Sequence, residues 1–312
     1  MIVYRNFEEI DTNPNTILTV GTFDGVHNGH KVIINTLKKR SKELGLRDVV
    51  LTIHPHPQVV LKKTDKEPIK ILSTIEERIR LFEEIGVSNL LIVNFTYEFS
   101  RTAPESFVKD YLVKKIGMKR ILVGYDHMFG KDRVGNRDLL RNLGNELGFD
   151  VERMDAHEEN NLIISSTKIR NAIKDKQLDL AKELLGYSYS AEGRVVKGDM
   201  RGRTIGYPTA NLELFDQSKL LPPNGVYFVK VVVDGSEYYG MTNIGYRPTF
   251  DGGKKKTFET NIFDFDSDIY GHTIKVVFLK FIREEKKFPG IDELISALKN
   301  DEMKCKELVN SK

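Results

Sequence analysis

The sequence predicts a doubly wound α/β domain followed by a smaller, mostly β domain that ends in a helix. The chain of 312 residues exceeds the size at which a single hydrophobic core usually stops growing. Short apolar runs alternate with amphipathic stretches up to residue 154, whereas hairpin-type patterns dominate from residue 191. We therefore expect two domains, residues 1–186 and 187–312, with a helical connection over residues 167–185.

In the first domain, strands are predicted where short apolar runs lie between polar turns. Apolar residues at helical spacing separate the first two runs, which makes one βαβ unit. Ser73 and Glu76 are spaced as a capping box that opens a helix, and Gly86 is suited to end it. Pro104 and Gly117 delimit a further helix. The predicted strands cover residues 17–20, 49–53, 90–93, 120–123 and the vicinity of 151, and a last helix covers 137–147.

The second domain is predicted to be a small barrel. Residues 226–233, 238–244 and 273–282 have the composition of strands, and Asp234-Gly235 forms a hairpin turn between the first two. Residues 291–298 carry apolar side chains at helical spacing. We expect the strands to close on themselves and the C-terminal helix to cover the barrel.

The composition is typical of a soluble enzyme, with 40% hydrophobic and 30% charged residues. The net charge of +3, from 48 basic and 45 acidic residues, is too small to attract nucleic acid to the whole protein. Lys254, Lys255 and Lys256 are assigned to a solvated turn rather than to a nucleic-acid patch. We expect small-molecule partners, no nucleic acid, no membrane, and a monomer or weak oligomer.

Cys305 is the only cysteine, which excludes an intrachain disulfide and a multi-cysteine zinc site. Its Lys/Glu-rich surroundings predict a passive surface thiol. The start of the sequence lacks a secretory pattern, and no apolar run reaches membrane-spanning length. A cytoplasmic location is therefore expected.

The first candidate site is the segment GTFDGVHNGH, residues 21–30, which leads from a strand into a helix. Its glycines let the backbone approach a ligand. His27 and His30 flank the helix N-terminus, where amide groups and the helix dipole favour a phosphate. The alternative is a pair of loop histidines with structural hydrogen bonds only.

Three further segments follow the predicted strands and are weak signals when taken singly. His54-Pro55-His56-Pro57 could contact an anion or a ring, and residues 124–130 could hold a planar ring or be an ordinary turn. Ile164 to Arg170 (ISSTKIR) offers hydroxyls and cations to a phosphate, although a simple Ser/Thr helix cap is the commoner meaning of such residues. All fall where ligands bind in open α/β sheets, beyond the carboxyl ends of the strands.

The HNGH and ISSTKIR elements together resemble the nucleotidyltransferase superfamily, and GTFDGVHNGH resembles bacterial FAD synthetases. The resemblance implies a Rossmann-like domain that joins FMN to ATP with release of pyrophosphate, assisted by Mg²⁺. It implies that His27 and His30 contact the ATP phosphates and stabilise the pentavalent transition state. The implied ATP and phosphate contacts are Gly21, Phe23, Asp24, Gly29, Ser165, Ser166, Thr167 and Arg170, and the implied flavin and adenine contacts are His56, Pro57, Asp126 and Phe129. The sequence departs from this family at Ile53, His127 and Met128.

The second candidate site is the Gly- and Arg-rich segment 198–211, which precedes a short strand. Thr209 and Asn211 lie two apart in an extended chain, so their oxygens face the same side and can share a hard cation such as Mg²⁺. The alternative is an ordinary Gly-rich β-turn.

Within that segment, GYPTAN resembles the riboflavin kinase signature, and the resemblance continues over residues 221–227, 243–249 and 259–265. It implies that Glu259 is the general base for the riboflavin 5′-hydroxyl, whereas an isolated Glu on a strand would be a surface residue. The implied ATP and flavin contacts are Gly198, Arg201, Gly202, Gly206, Tyr207, Pro208, Asn224 and Tyr227, and Asn261 is a departure.

Together the two resemblances imply a bifunctional enzyme that converts riboflavin to FMN and FMN to FAD. Two alternatives remain open at this point. Either the kinase alone works and the first domain is degenerate or regulatory, or the chain senses flavin or RNA without turning it over.

Overall fold

The computed structural model describes residues 1–61, 68–124, 137–154, 158–159, 162–198, 201–248 and 254–310. Its backbone contacts divide the chain into two compact units, Met1–Ser166 and Thr167–Lys312. The expected functional boundary between residues 186 and 187 stays a prediction.

The first unit is built on a six-stranded parallel sheet. The strands are β1 (Ile2–Tyr4), β2 (Thr16–Gly21), β3 (Arg47–His54), β4 (Asn89–Asn94), β5 (Met118–Val123) and β6 (Asp150–Arg153). Their order is β1-β4-β3-β2-β5-β6, so the winding direction reverses between β2 and β5. Two short antiparallel strands, β7 (Glu158–Glu159) and β8 (Leu162–Ile163), form a separate pair.

Both faces of this sheet are covered, because successive residues of each strand point to opposite sides. Ile17 of β2 packs in one apolar cluster with Ile34 and Phe82, whereas the next residue, Leu18, packs in a second cluster with Phe107. The helices are α1 (Asn28–Leu44), α2 (Pro57–Val60), α3 (Ile75–Ile85), α4 (Tyr97–Ser100), α5 (Pro104–Ser106) and α6 (Arg137–Leu147). The predicted doubly wound α/β domain is confirmed.

Two local predictions in this unit need correction. The capping box at the start of α3 pairs Thr74 with Glu77, rather than Ser73 with Glu76, because the Ser73 hydroxyl is bonded elsewhere. The helix that begins at Pro104 continues as a π-helix, Phe107–Ile116. Gly117 ends it as predicted: its φ is 81°, and a Cβ there would lie 2.3 Å from the Asn13 carbonyl oxygen.

The second unit contains a closed barrel with the strand order β10-β13-β12-β11-β14-β9, in which all neighbours are antiparallel. The strands are β9 (Ser190–Val196), β10 (Ala210–Leu214), β11 (Gly225–Val233), β12 (Ser236–Pro248), β13 (Lys254–Ile262) and β14 (Thr273–Arg283). The helices are α7 (Ser166–Lys174), α8 (Leu178–Leu185), α9 (Arg201–Thr204) and α10 (Ile291–Asn310). The predicted barrel with a terminal helix is confirmed.

The stretch 167–185 is helical as predicted, in two helices that separate where Lys176 has a φ of 60°. Two other expectations for this unit are wrong. Lys254 to Lys256 begin β13, paired with β12, instead of forming a turn. Cys305 is fully buried on α10, where it packs against Val226 and Phe228, and burial raises the pKa of its thiol to about 12. Charged neighbours had suggested exposure, but on a helix they occupy other faces.

Among the described helices, none combines the length and apolar character that crossing a bilayer requires.

Candidate active sites

The loop that follows β2, residues 22–27, lies at the point where the winding of the parallel sheet reverses. Its backbone is strained, because Phe23 and Val26 have φ values of 47° and 36°. Gly25, between them, has a φ of 81°, which glycine adopts without penalty. Strained backbone persists where surrounding contacts enforce it, and it is concentrated at functional sites.

The Asp24 side chain makes several of the hydrogen bonds that hold this strained loop in place. Its carboxylate, 1% exposed, accepts hydrogen bonds from the amides of Leu72 and Ser73 at 2.9–3.0 Å, and from the Ser73 hydroxyl at 3.3 Å. The Gly25 amide in turn donates to the Ser73 hydroxyl at 2.8 Å. The Asp24 side chain therefore anchors the loop to the start of α3, and its predicted phosphate contact stays a prediction.

Phe23 is a core residue, 3% exposed, with its ring edge against Phe82 at a centroid distance of 5.7 Å. It also packs edge-on against the His30 imidazole at 5.1 Å. A Cβ on Gly21 would come within 3.1 Å of the Phe23 ring, so this glycine leaves room for the ring. The Phe23 ring therefore packs against the His30 ring from the core side, and the predicted ATP contact of Phe23 stays a prediction.

His27 and His30 stack, with ring centroids 3.5 Å apart and an interplanar angle of 17°. His27 is the N-cap of α1, and its Nδ1 accepts a hydrogen bond from the His30 amide at 3.4 Å. In a neutral imidazole an accepting Nδ1 leaves the proton on Nε2, which can donate to a phosphoryl oxygen. Gly29 permits this packing, since a Cβ there would lie 3.3 Å from the His27 ring.

The His30 imidazole is electrostatically disposed to stay neutral. Burial, followed by the charges of His27 and Arg78, holds the pKa of His30 well below its usual value. Its Nδ1 is buried and has no hydrogen-bond partner within the described part of the chain. A polar atom in this state costs free energy unless a ligand or water pairs with it.

The predicted ISSTKIR element reaches this loop through Ser166, whose hydroxyl donates to the Asp24 carbonyl oxygen at 2.9 Å. Ser165 precedes it, and α7 begins at Ser166. Thr167 is exposed in the first turn of α7, and Arg170 lies one turn further along and is 8% exposed.

The remaining predicted contacts of the first site have mixed outcomes. His56 is the N-cap of α2, with Nδ1 accepting from the Gln58 amide at 3.2 Å, and Pro57 is the first helical residue. Ile53 packs against the apolar cluster of the sheet. Asp126, His127, Met128 and Phe129 lie outside the described residues.

In the second unit, a cavity of about 300 Å³ opens at the barrel wall. Five predicted site residues line it: Gly202, Tyr207, Thr209, Asn211 and Glu259. The strand register explains the grouping, because Asn211 of β10 and Asn243 of β12 lie directly opposite Glu259 of β13 on either side. Opposed residues on antiparallel strands share a face of the sheet. The Glu259 carboxylate therefore lies between two amide side chains, Asn211 and Asn243, on one face of the barrel wall.

The Gly-rich segment is packed too closely for side chains at two positions. A Cβ on Gly198 would lie 2.3 Å from Asn211 Nδ2, and one on Gly202 would lie 2.2 Å from the Tyr207 carbonyl oxygen. Gly206 has a φ of 80°, and α9 begins at Arg201. The glycines thus bring backbone close to Asn211 and Thr209 at the cavity.

Two predicted contacts of the kinase site are held by neighbouring side chains. Tyr207 donates its hydroxyl to Glu302 of α10 at 2.9 Å, and burial, with the nearby Glu302, raises the pKa of Tyr207 to about 12. The Pro208 carbonyl accepts from Asn261 at 2.7 Å, so the departure at Asn261 has a structural role.

Asn224 and Tyr227 are placed differently from each other. The Asn224 amide donates to Glu285, a cavity residue, at 3.1 Å. Tyr227 is fully buried in the barrel core against Phe278, and its hydroxyl donates to the Pro223 carbonyl at 2.6 Å. Tyr227 is therefore placed as a core residue, and it is not among the described residues that line the cavity.

Comparison with known proteins agrees with this two-site geometry. The FAD synthetase family model matches residues 9–168, and the riboflavin kinase family model matches residues 185–309. The chain is 38% identical to the bifunctional riboflavin kinase/FMN adenylyltransferase of Listeria monocytogenes over 291 residues, 93% of this chain and 91% of that protein. It is 39% identical to the protein of the same name from Escherichia coli K12 over 292 residues, 93% and 92% of the two chains.

The chain belongs to the bifunctional riboflavin kinase/FMN adenylyltransferase family. A solved structure from Streptococcus pneumoniae named a macrolide-efflux protein shares its fold, with a TM-score of 0.84 and 35% identity over 97% of each chain. The family's two domains coincide with the two candidate sites, because the histidine loop lies in the FAD synthetase match and the barrel cavity in the riboflavin kinase match.

The donor set of the kinase cavity fits the magnesium ion that the family resemblance implies. Thr209 and Asn211 offer a hydroxyl and an amide oxygen, which are hard ligands of the kind Mg²⁺ binds together with substrate phosphates. Within the described residues, no three His, Cys, Asp or Glu side chains are grouped to hold a metal ion by themselves.

Ser73 and Arg78, which were not predicted as site residues, hold the histidine loop in place. Ser73 was assigned to a helix cap, and only the fold brings it to Asp24. Arg78 carried a usable signal, since it falls with Ile75 and Phe82 on the apolar face of α3. A charged residue on a buried face requires polar partners inside the protein.

Arg283, which lines the barrel cavity, is held by an ion pair with a buried carboxylate. Arg283 at the end of β14 donates to both carboxylate oxygens of Asp301 on α10 at 2.7–2.9 Å, and Asp301 is fully buried. We expect Asp301→Asn to reduce the free energy of unfolding of this unit by about 3 kcal/mol, because Arg283 loses its charged partner. Urea denaturation followed by circular dichroism measures the change. Asp292→Asn, exposed on the same helix, is the matched control, and equal midpoints for both variants would contradict the expectation.

Proposed function

We propose that this chain phosphorylates riboflavin to FMN in the barrel cavity and adenylylates FMN to FAD at the carboxyl edge of the parallel sheet. The relatives named above carry both activities in their names, and this chain matches them over more than nine-tenths of its length. The observation that supports the kinase most directly is the grouping of Glu259, Thr209 and Asn211 in one cavity. The residue boundary between the two activities is proposed to lie at 186/187.

In the proposed kinase reaction, Glu259 accepts the proton of the riboflavin 5′-hydroxyl as that oxygen attacks the γ-phosphorus of ATP. Asn211 and Asn243, on the strands beside it, present their side-chain amides on the same face of the sheet as the Glu259 carboxylate. Thr209 and Asn211 would hold Mg²⁺, which neutralises phosphate charge when bound. The close backbone at Gly198 and Gly202 brings amides to the phosphates, and ADP leaves.

In the proposed adenylyl transfer, a phosphate oxygen of FMN attacks the α-phosphorus of ATP and pyrophosphate leaves. The chain supplies no nucleophile, so its contribution is positioning and charge neutralisation. His27 donates from Nε2, and His30 offers a second imidazole beside the N-terminus of α1. Ser165, Ser166, Thr167 and Arg170 are proposed to bind the outer phosphates, as the family resemblance implies.

The reactants are small molecules, and we propose a cytoplasmic enzyme that acts as a monomer or weak oligomer without nucleic acid or membrane. This is supported by the near-balanced charge and the single, buried cysteine.

The test is to incubate the purified chain with riboflavin, ATP and Mg²⁺ and to separate riboflavin, FMN and FAD over time. FMN followed by FAD is the expected result, and chelation of Mg²⁺ should stop both reactions. FMN without FAD, even when FMN is supplied, would reduce the first domain to a degenerate or regulatory module. Absence of any conversion would refute the proposal.

A further inference from the structure

Arg78 is a buried cation on the sheet-facing side of α3. Its side chain is 1% exposed and lies among apolar neighbours that include Ile75 and Phe82. Burying a guanidinium in such surroundings is costly unless several acceptors meet it. Its contacts therefore indicate what the position is used for.

The Arg78 guanidinium joins the ends of two adjacent strands. Nη1 donates to the Thr22 carbonyl oxygen at 2.6 Å, to the Thr52 hydroxyl at 3.0 Å and to the Ile53 carbonyl at 3.1 Å. Nη2 lies 3.5 Å from His54 Nδ1. Thr22 is the first residue after β2, and the other three acceptors are in the last three residues of β3. One side chain thus links the start of the 22–27 loop to the carboxyl end of the next strand.

The same α3 segment holds the 22–27 loop at a second place. Ser73, just before α3, is bonded to Asp24 and to the Gly25 amide. The loop that contains the strained residues Phe23 and Val26 is therefore held at Thr22 by Arg78, and at Asp24 and Gly25 by Ser73. His27 follows directly as the N-cap of α1 and carries the stacked His30 ring.

We propose that Arg78 is a positioning residue for FMN adenylylation, which fixes the 22–27 loop against the end of β3 and thereby orients the His27–His30 pair. The inference rests on the proposed adenylyltransferase function. Arg78 acts through the loop and not by touching the reacting atoms. Its positive charge also reaches His30, where it contributes, after burial and His27, to holding the pKa of the imidazole low.

Lysine and methionine at this position separate the two contributions. Lysine keeps the charge and a group of donors that can serve the Nη1 acceptors, but it lacks the planar fork that also reaches His54. Methionine fills similar space and removes both the charge and the donors. Of the guanidinium and the Thr52 hydroxyl, the Thr22 carbonyl then keeps only the hydroxyl as a donor, at 3.2 Å, and the Ile53 carbonyl loses its hydrogen bond from the guanidinium. Arg80, two residues away and exposed on α3, offers the matched control.

The experiment measures FAD formation from FMN and ATP, with the riboflavin kinase rate of the same preparation as an internal reference. We expect Arg78→Met to reduce kcat for FAD formation by about a hundredfold, with a smaller change in KM for ATP, because misplacement by an ångström has an effect of that size. Arg78→Lys should show a smaller loss than Arg78→Met. Arg80→Met should form FAD at the rate of the unmodified chain. The riboflavin kinase rates of all three variants should also match that of the unmodified chain.

A spectroscopic readout separates positioning from simple loss of stability. The seven histidines are labelled with ¹³C, and the His30 signal is assigned by its absence in His30→Gln. The pKa of His30 should rise in Arg78→Met, since a nearby positive charge is removed, and stay unchanged in Arg78→Lys and Arg80→Met.

Three results would overturn the inference. The first is FAD formation by Arg78→Met at a rate within threefold of the unmodified chain. The second is an unmodified rate of FAD formation in Arg78→Lys together with an unfolded first domain in Arg78→Met. The third is an unchanged His30 pKa in a folded Arg78→Met. If the unmodified chain makes FMN and no FAD, the adenylyltransferase proposal fails instead, and the His30 titration still decides whether Arg78 governs the histidine pair.

Discussion

Glu259→Gln is expected to slow riboflavin phosphorylation by about 10²–10⁴-fold, the usual contribution of a positioned general base. The amide keeps the size and much of the polarity of the carboxylate but cannot accept the proton of the 5′-hydroxyl. Because glutamine has nearly the same size and the backbone of β13 is paired with β10 and β12 at this position, we expect the replacement to preserve the strand register. The rate is measured as FMN released from riboflavin and ATP at saturating Mg²⁺.

The same variant supplied with FMN should form FAD at the unmodified rate, since the histidine loop lies in the other domain. Glu237→Gln is the matched control, because Glu237 is an exposed glutamate on β12 that is paired with Lys230. Phosphorylation by Glu259→Gln within a factor of a few of the unmodified chain would assign the base elsewhere. Simultaneous loss of both reactions in a folded protein would contradict the two-site arrangement.

Most of the fold could be predicted because it is governed by local patterns. Apolar runs located five of the six strands of the parallel sheet, and β1 (Ile2–Tyr4) was not predicted. Gly86 and Gly117 ended their helices in the left-handed conformation, as predicted. The hairpin at Asp234-Gly235 fixed the pairing of β11 with β12. Closure of the barrel followed from a set of short strands that need partners on both edges.

What the sequence could not predict depends on contacts between distant segments. The sequence did not predict that the Asp24 carboxylate accepts hydrogen bonds from amides 48 and 49 residues away along the chain. Tyr227 lies inside a matched motif and yet is packed in the barrel core. The role of Arg78 became visible only when the ends of β2 and β3 were adjacent, since three of its acceptors are backbone or hydroxyl groups without a sequence signature.

His30→Ala is expected to reduce FAD formation by about 10²–10³-fold, the loss found when a donor to a transition-state oxyanion is removed. His30 packs against His27 and Phe23, so alanine removes an imidazole beside the proposed phosphate site and weakens the packing of His27. The rate is measured as FAD formed from FMN and ATP, which bypasses the kinase. FMN formation from riboflavin by the same variant should be unchanged.

His30→Gln serves as the second variant, because it fills more of the space and separates loss of the imidazole from loss of packing. His272→Ala is the matched control, as His272 is exposed on the barrel and paired with Asp234. Both His30 variants should lose most of the adenylylation while His272→Ala keeps it. If His30→Gln formed FAD at the unmodified rate, the imidazole would serve packing alone. Transfer would then depend on His27 and the amides at the start of α1, which are the other groups that the fold brings to this point.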